Sequence, residues 1–467
     1  MRLQGRRKRA CLLQFIPLDA LTLFHARLNV QESKHSIALF SASQTGGICR
    51  MLIKGRTLRL YVRLGCFLLT IFLLLPIPFL MGSSRVFVQA SSFVALCTML
   101  AGRAFLAQSI LGLLFFIIAL ARKRLFCRYV CPVGLLLEVV SGKKLPTKIW
   151  WKGCPPIGNY IALLTIAGAI AGYPLFLWMD PLALFNNTFS VFSARNVLSV
   201  IFSLSGIVVL LLMALASGGL WCARICPLGA TQDLLQSIGS VFGNFRKPNK
   251  IDAQETTALE DRLPGTRRKF IAVAAGLGFS LWAQKIGTAR SKNTPLRPPG
   301  ATKEHIFTGL CLRCGNCIRV CPSKIIHPDT GHSGILGFLS PIVRYETDYC
   351  IKECNACTKV CPSSALQPLN LEQKQTYVIG TAHLDKDLCL HGISDCNACV
   401  NACFFDAIKL YWDKAAYESY AVVDPLKCNG CGACEVCCPT GEIKAIKVLK
   451  KMDQIAGRNC GQHINSD

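Results

Sequence analysis

Cysteine spacing constrains this chain more than any other feature. Residues 311–322 read CLRCGNCIRVCP, placing Cys311, Cys314, Cys317 and Cys321 as Cys-x2-Cys-x2-Cys-x3-Cys-Pro. A close triple lets one tight loop wrap three corners of an iron–sulfur cube, while the fourth cysteine, followed by proline, leaves the loop. The run recurs. Cys350, Cys354, Cys357 and Cys361 form a second set, with one residue added to the first gap and Pro362 kept. Cys428, Cys431, Cys434 and Cys438 form the last, again closed by Cys-Pro, and leave Cys437 over as an expected buried free thiol. The third set is Cys389, Cys396, Cys399 and Cys403; its first gap is wider and Phe404 replaces the proline. Its x2-x3 ending is intact, so it reads as a cluster set, with a structural zinc as the alternative. Of 27 cysteines, these 16 have metal spacing rather than disulfide spacing.

Sixteen thiolates in four sets imply four [4Fe–4S] clusters. Short β-prone pieces (KIIH, AIKLY, IKAIKVL) follow the sets. That is the pattern of an α+β ferredoxin-like domain of four modules, expected over 303–467. The spacing leaves open which sets exchange ligands: first with last and second with third, or consecutively. His305, His327, His332, His383 and His391 lie in this half without a partner at ligand spacing, and read as surface residues or neighbours of ligands.

The remainder is apolar. Hydrophobic residues make up 52% of the chain and charged residues 17%, which points to a membrane. Runs at about 64–82, 104–121, 157–178 and 197–217 suit bilayer crossing, and a shorter one, about 270–287, makes four to five transmembrane helices. The stretch 86–102 is apolar but short, and reads as interfacial. The net charge of +26 sits with this half: residues 1–287 hold 32 Lys/Arg against 9 Asp/Glu, and the rest 20 against 17. This is a positive-inside distribution rather than a nucleic-acid-binding face. The loops 122–152 and 220–269 carry eight basic residues each, whereas 83–92 has only Arg85 and 179–196 only Arg195. The N-terminus and the two basic loops therefore face the cytoplasm, and the chain after the fifth helix emerges outside. The expected divisions are a leader over 1–60, with Met51 a candidate start, a four-helix membrane domain over 61–245, a linker, fifth helix and tether over 246–302, and the cluster domain.

The membrane half holds an internal repeat, LFCRYVCPVG (125–134) and LWCARICPLG (220–229), each followed by an acid at the same offset, Glu138 and Asp233. If the two loops meet, Cys127, Cys131, Cys222 and Cys226 suffice for one further iron–sulfur cluster; otherwise they are four reduced thiols at helix ends. Cys154 reads as a bystander, and Cys66 and Cys97 as apolar filler. No histidine occurs between residues 61 and 290, and no Cys-x-x-Cys-His anywhere. No haem is expected.

TRRKFIAVAAGLGF (266–279) has the form of an export signal, far from the N-terminus. A metal-loaded domain acquires its clusters before crossing the membrane, because folding and cluster insertion are one event. The twin-arginine route accepts folded cargo. Arg267 and Arg268 therefore read as an internal twin-arginine signal, with ordinary helix anchors as the alternative. Residues 288–302, polar and Pro-containing, read as a tether; cleavage after Ala289 would release the domain.

At these residues the chain resembles known families. From about 60 to 240 it is similar to the membrane ferredoxin-type quinol dehydrogenase of periplasmic nitrate reduction (NapH type), on FCRYVCPVG, WCARICPLG and the four helices. From about 266 to 450 it resembles the periplasmic polyferredoxin of NapG/MauM type, on the twin arginines, the four sets and the wide-gap CLHGISDCNAC. Two departures stand out: the partners are fused, and the usual cytoplasmic cluster sets after the second Cys-Pro loop are missing. The resemblance implies a bacterial inner-membrane electron carrier passing electrons from menaquinol or ubiquinol to a periplasmic redox enzyme, with the cluster domain on the periplasmic side. Asp180, in MDPLAL, is the weak candidate for a proton acceptor in such a catalytic site; a turn or helix cap before Pro181 is its other reading. The rival function is maturation or regulation of a periplasmic metalloenzyme.

Overall fold

The computed structural model describes residues 45–75, 82–103, 109–121, 124–141, 155–194, 197–244, 263–289 and 295–450, the last without 332, 415–417 and 442. Residues 1–44 and Cys154 lie outside the described residues.

The apolar runs form helices whose ends follow the prolines and glycines. Helix α1 (Thr45–Leu74) stops short of the expected residue 82, two residues before Pro76, since proline excludes its predecessor from helical backbone. Helices α2 (Ser83–Gln89) and α3 (Ser92–Gly102) are bent by 92° at a two-residue break. There Ser91, in extended backbone, caps α3 by accepting from the Val94 N–H. Next come α4 (Ile110–Ala121), α5 (Leu125–Tyr129), α6 (Pro132–Ser141) and α7 (Ile157–Ile170). Helix α7 ends eight residues earlier than the apolar run suggests. Gly172 turns left-handed (φ +87°), the Tyr173 N–H donates back to Gly168 O at 2.8 Å, and Pro174 follows. Helices α8 (Pro181–Thr188), α9 (Val197–Ser217), α10 (Pro227–Asn244) and α11 (Leu263–Ala289) complete this half. Among the described residues α9 alone is long and apolar enough to cross a membrane, and the bent α2–α3 pair is a second candidate by composition.

Helix α11 belongs to the bundle. Its small residues Ala272, Gly276, Ser280 and Ala283 recur on one face. A Cβ on Gly276 would lie 2.7 Å from Leu164 O of α7. Ser280 Oγ donates to Tyr173 O at 3.0 Å and Gln284 to Ala171 O at 2.8 Å. Small residues let two helix backbones come this close.

The cysteine-rich half carries three two-stranded antiparallel sheets: β1 (Ile326–Pro328) with β2 (Pro341–Val343), β3 (Thr381–Leu384) with β6 (Ile446–Leu449), and β4 (Ile408–Asp413) with β5 (Glu418–Val423). The β3–β6 pairing ties Thr381 to Leu449, 68 residues on. The tether expected over 288–302 is corrected for its second part. Residues 297–300 are buried: the Arg297 guanidinium pairs with Glu304 (2.5 Å) and donates to Ser340 Oγ and Pro341 O. Gln367 N donates to Gly300 O. A polar composition suggested a linker, but its arginine is a buried cross-brace.

Candidate iron–sulfur centres

In three cavities the last cysteine of one set joins the first three of its neighbour in sequence. One cavity is lined by Cys311, Cys314 and Cys317 together with Cys361 of the second set. A second is lined by Cys350, Cys354 and Cys357 with Cys321 of the first. A third is lined by Cys428, Cys431 and Cys434 with Cys403 of the third set. Backbone geometry repeats with the motif. Arg313 and Gly315 are left-handed two and four residues after Cys311, and Gly430 and Gly432 are so after Cys428. Lys324, Ser364 and Asp406 are left-handed three residues after Cys321, Cys361 and Cys403. Two of these turns aim N–H groups at sulfur, Leu366 N donating to Cys361 Sγ and Ala407 N to Cys403 Sγ, and Ala382 N of β3 donates to Cys428 Sγ, all at 3.3–3.4 Å. Gly432 has a second reason to be glycine, since a Cβ there would sit 2.3 Å from the Tyr345 ring.

Burial sets the electrostatics. It pushes the Cys314 thiol up to about 12 and Cys350 to about 11. Such thiols give up their protons to iron rather than to water, which makes loading proton-releasing. The donor set fits [4Fe–4S] clusters: thiolates only, ringing cavities and supported by N–H groups. Cys437 is exposed rather than buried; Cys438, where the chain leaves the short helix, turns inward instead. His391 is buried, with Nδ1 on Cys396 O (2.9 Å) and Nε2 on Ser419 Oγ (2.5 Å), bracing the third set's wide loop.

The two Cys-Pro loops meet. Burial pushes Cys127 up to about 12 and Cys222 to about 11, and the charge of Cys222 adds to the effect on Cys127. Cys226 feels Cys127, Cys222 and Cys131, and burial raises it furthest. Arg124 staples the loops, donating to both Asp233 carboxylate oxygens and to Cys222 O (3.0 Å). Gln232 donates to Cys127 Sγ at 3.4 Å. The acids at matching offsets are both ion-paired, Glu138 with Arg63 (2.6 Å) and Asp233 with Arg124 (2.5 Å).

The first cysteine set is docked on the helical half. Asn186 of α8, 1% exposed, donates to Cys314 O (2.6 Å) and Asn316 Oδ1 (2.8 Å). Arg319 donates to Leu74 O at the end of α1, Ser193 to Arg319 O, and Arg85 to Lys359 O. The Arg313 guanidinium stacks over Trp178, 5.3 Å from the ring centre. Gly315 is required at this seam, because a Cβ would lie 2.7 Å from Asn187 Oδ1. None of these docking residues carried a sequence signal; a buried amide or arginine looks like any other in the sequence. Asp180 is fully buried as the N-cap of α8, accepting from Leu182 N and Ala183 N and from Ser91 Oγ (2.6 Å).

Fold and sites define an iron–sulfur electron-transfer protein of ferredoxin type. Residues 106–149 and 199–247 match the 4Fe-4S binding domain family, and residues 310–365 and 393–442 the 4Fe-4S dicluster domain family. The methylamine utilization ferredoxin-type protein MauM of Methylophilus methylotrophus is 32% identical over 215 residues, 42% of this chain and 91% of the relative. The ferredoxin-type protein NapG of Haemophilus influenzae is 32% identical over 222 residues (42% and 75%), and that of Escherichia coli K12 is 34% identical over 207 (39% and 85%). The chain belongs to this MauM/NapG ferredoxin-type family. No solved structure matches it.

Proposed function

We propose that the chain is a fusion of a NapH-type membrane partner with a NapG/MauM-type polyferredoxin, which passes electrons from quinol to a periplasmic oxidoreductase. The observation that carries this reading is the seam at Asn186 and Cys314: the first cysteine set packs on the helices instead of facing solvent. A membrane setting is supported by apolar rows left outside the bundle. Ile110, Leu114 and Ile117 on α4, and Ile201, Val208, Leu212 and Leu215 on α9, are 45–65% exposed at helical spacing. The seam uses residues 85–89 and 178–193, in and beside loops poor in basic residues, whereas the Cys-Pro loops are rich in them. By the positive-inside rule the cluster domain is then periplasmic, exported behind Arg267 and Arg268.

The 16 thiolates would hold four [4Fe–4S] clusters, the fourth on Cys389, Cys396 and Cys399 with Cys438 by the same exchange, and Cys127, Cys131, Cys222 and Cys226 would hold a fifth. Bound clusters supply one-electron transfer. Oxidation of quinol to quinone releases two electrons, taken singly, and two protons to water. The chain's own work is to bury the thiolates, aim N–H groups at them and fix one centre against the membrane half.

The test is anaerobic. Oxidised protein is mixed with a reduced menaquinol analogue, and bleaching and EPR signals are followed. Reduction within the mixing time of the assay is expected. Clusters that dithionite reduces and quinol does not would overturn the reading and favour maturation of a metalloenzyme.

A further inference from the structure

Between α3 and α4 lies a cleft of about 340 Å³, in the size range of small-molecule sites. Its shape follows from one glycine. A Cβ on Gly112 would lie 2.5 Å from Ala95 Cβ and 2.6 Å from Gln89 O, so glycine draws α4 against the α2–α3 break. Away from that contact the helices part, and Leu96, Met99 and Leu100 face Leu113 and Phe116 across the gap.

The lining is apolar except at two places. Ser92, at the first turn of α3, is 2% exposed and lines the cleft. Arg103 is exposed at the other end of α3, roughly 16 Å away by helical rise. The Ser92 end is also the end nearest the redox machinery. Its neighbour Ser91 donates to Asp180. Phe115 stacks edge-on against Phe126, the residue before Cys127, with ring centres 4.8 Å apart. The neighbouring outer face of α4, with Ile110, Leu114 and Ile117, is apolar and exposed.

We infer that this cleft binds an isoprenoid quinol, a ring oxygen on the Ser92 hydroxyl and the tail running past Leu96, Met99 and Leu100 toward Arg103. A phospholipid acyl chain would fill the apolar part but has no use for a hydroxyl at the inner end. The inference rests on the quinol reading above and supplies its substrate site.

The full chain in detergent is photolabelled with an azido-quinone and the label mapped by mass spectrometry, alongside quinol-driven and dithionite-driven bleaching. Label within 92–116 is expected. Leu96→Trp, which fills the gap, should cut both labelling and quinol-driven reduction about tenfold or more, with iron content and dithionite bleaching unchanged. Ser92→Ala adds no bulk, and should raise the quinol KM roughly five- to tenfold for one lost hydrogen bond; it carries the test if Leu96→Trp loses iron. Label elsewhere, in protein that quinol still reduces, overturns this site and leaves the quinol reading standing. Label in the cleft that a photoactivatable fatty acid displaces but excess quinol does not makes it an acyl-chain groove and overturns the site. Neither label nor reduction by quinol in iron-loaded protein overturns both.

Discussion

Lys374 should set the potential of the second cluster. It sits on a short helix fixed by a capping box between Asn370 and Gln373, and is 2% exposed. Its ammonium donates to the carbonyls of Ile351 and Lys352 and to the Cys350 thiol. No carboxylate pairs with it among the described residues, so the countercharge for this buried cation is the thiolate group itself. Two unit charges about 4 Å apart at an effective dielectric of about 20 interact by about 4 kcal/mol. Charge spread over a cluster and its four sulfurs reduces that to roughly 2 kcal/mol, or about 90 mV for one electron. A nearby cation favours the more negative, reduced form. Lys374→Met should therefore lower this cluster's midpoint by about 90 mV, and Lys374→Arg, which keeps the charge, should shift it far less. The assay is an anaerobic EPR redox titration of iron-loaded protein. A Lys374→Met midpoint within about 20 mV of the parent would refute the argument, since solvent screening would then outweigh the contact.

Four further outcomes follow from the geometry. Asn186→Ala strips Cys314 O of its side-chain donor, at about 1–3 kcal/mol; amide exchange in 311–317 should rise by about 5- to 150-fold with iron content unchanged. Cys321→Ser should perturb the EPR signal of the centre ligated by Cys350, Cys354 and Cys357 and spare that of Cys311, Cys314 and Cys317; the opposite assignment would break the exchange scheme. Cys127→Ser combined with Cys222→Ser should lower iron per chain while the signals of the centres in the cysteine-rich half persist. Burial, opposed by hydrogen bonds from Ser91 and two N–H groups, pushes Asp180 up to about 6 from an ordinary 3.8. The folded value lies above the unfolded one, so its contribution to stability is complete below pH 4 and is lost as pH rises through 6, by about 3 kcal/mol. The thermal midpoint in detergent should fall across that window, and Asp180→Asn, which still caps α8, should flatten the fall.

Ligand identity was legible because it is local: three cysteines within seven residues must share a loop, and proline marks the fourth. Exchange between sets was not, because it depends on Cys361 folding back over the first loop, a contact between residues 44 positions from Cys317. The equal offsets of Glu138 and Asp233 were visible, but Arg63 and Arg124 come from other segments, and only the fold brings them within 2.6 Å. Gly172 and Pro174 do mark the true end of α7, but they sit inside an apolar run whose length suggested one longer span. Arg297 shows the reverse failure: a polar, proline-flanked segment resembles a linker until Glu304 and Ser340 are seen around its guanidinium.

Helix α11 is fastened to α7 through Gly276 and Ser280, and Arg297, 17 residues after Ser280, is fastened into the cluster domain, whose first cysteine set is itself docked on α8. A carrier so moored does not commute between donor and acceptor. Its first handover happens at a fixed distance whatever the protein's abundance, and dilution or crowding acts only on its last step, when a partner must find the far end. The chain is thus closer to a fixed relay than to a diffusing messenger.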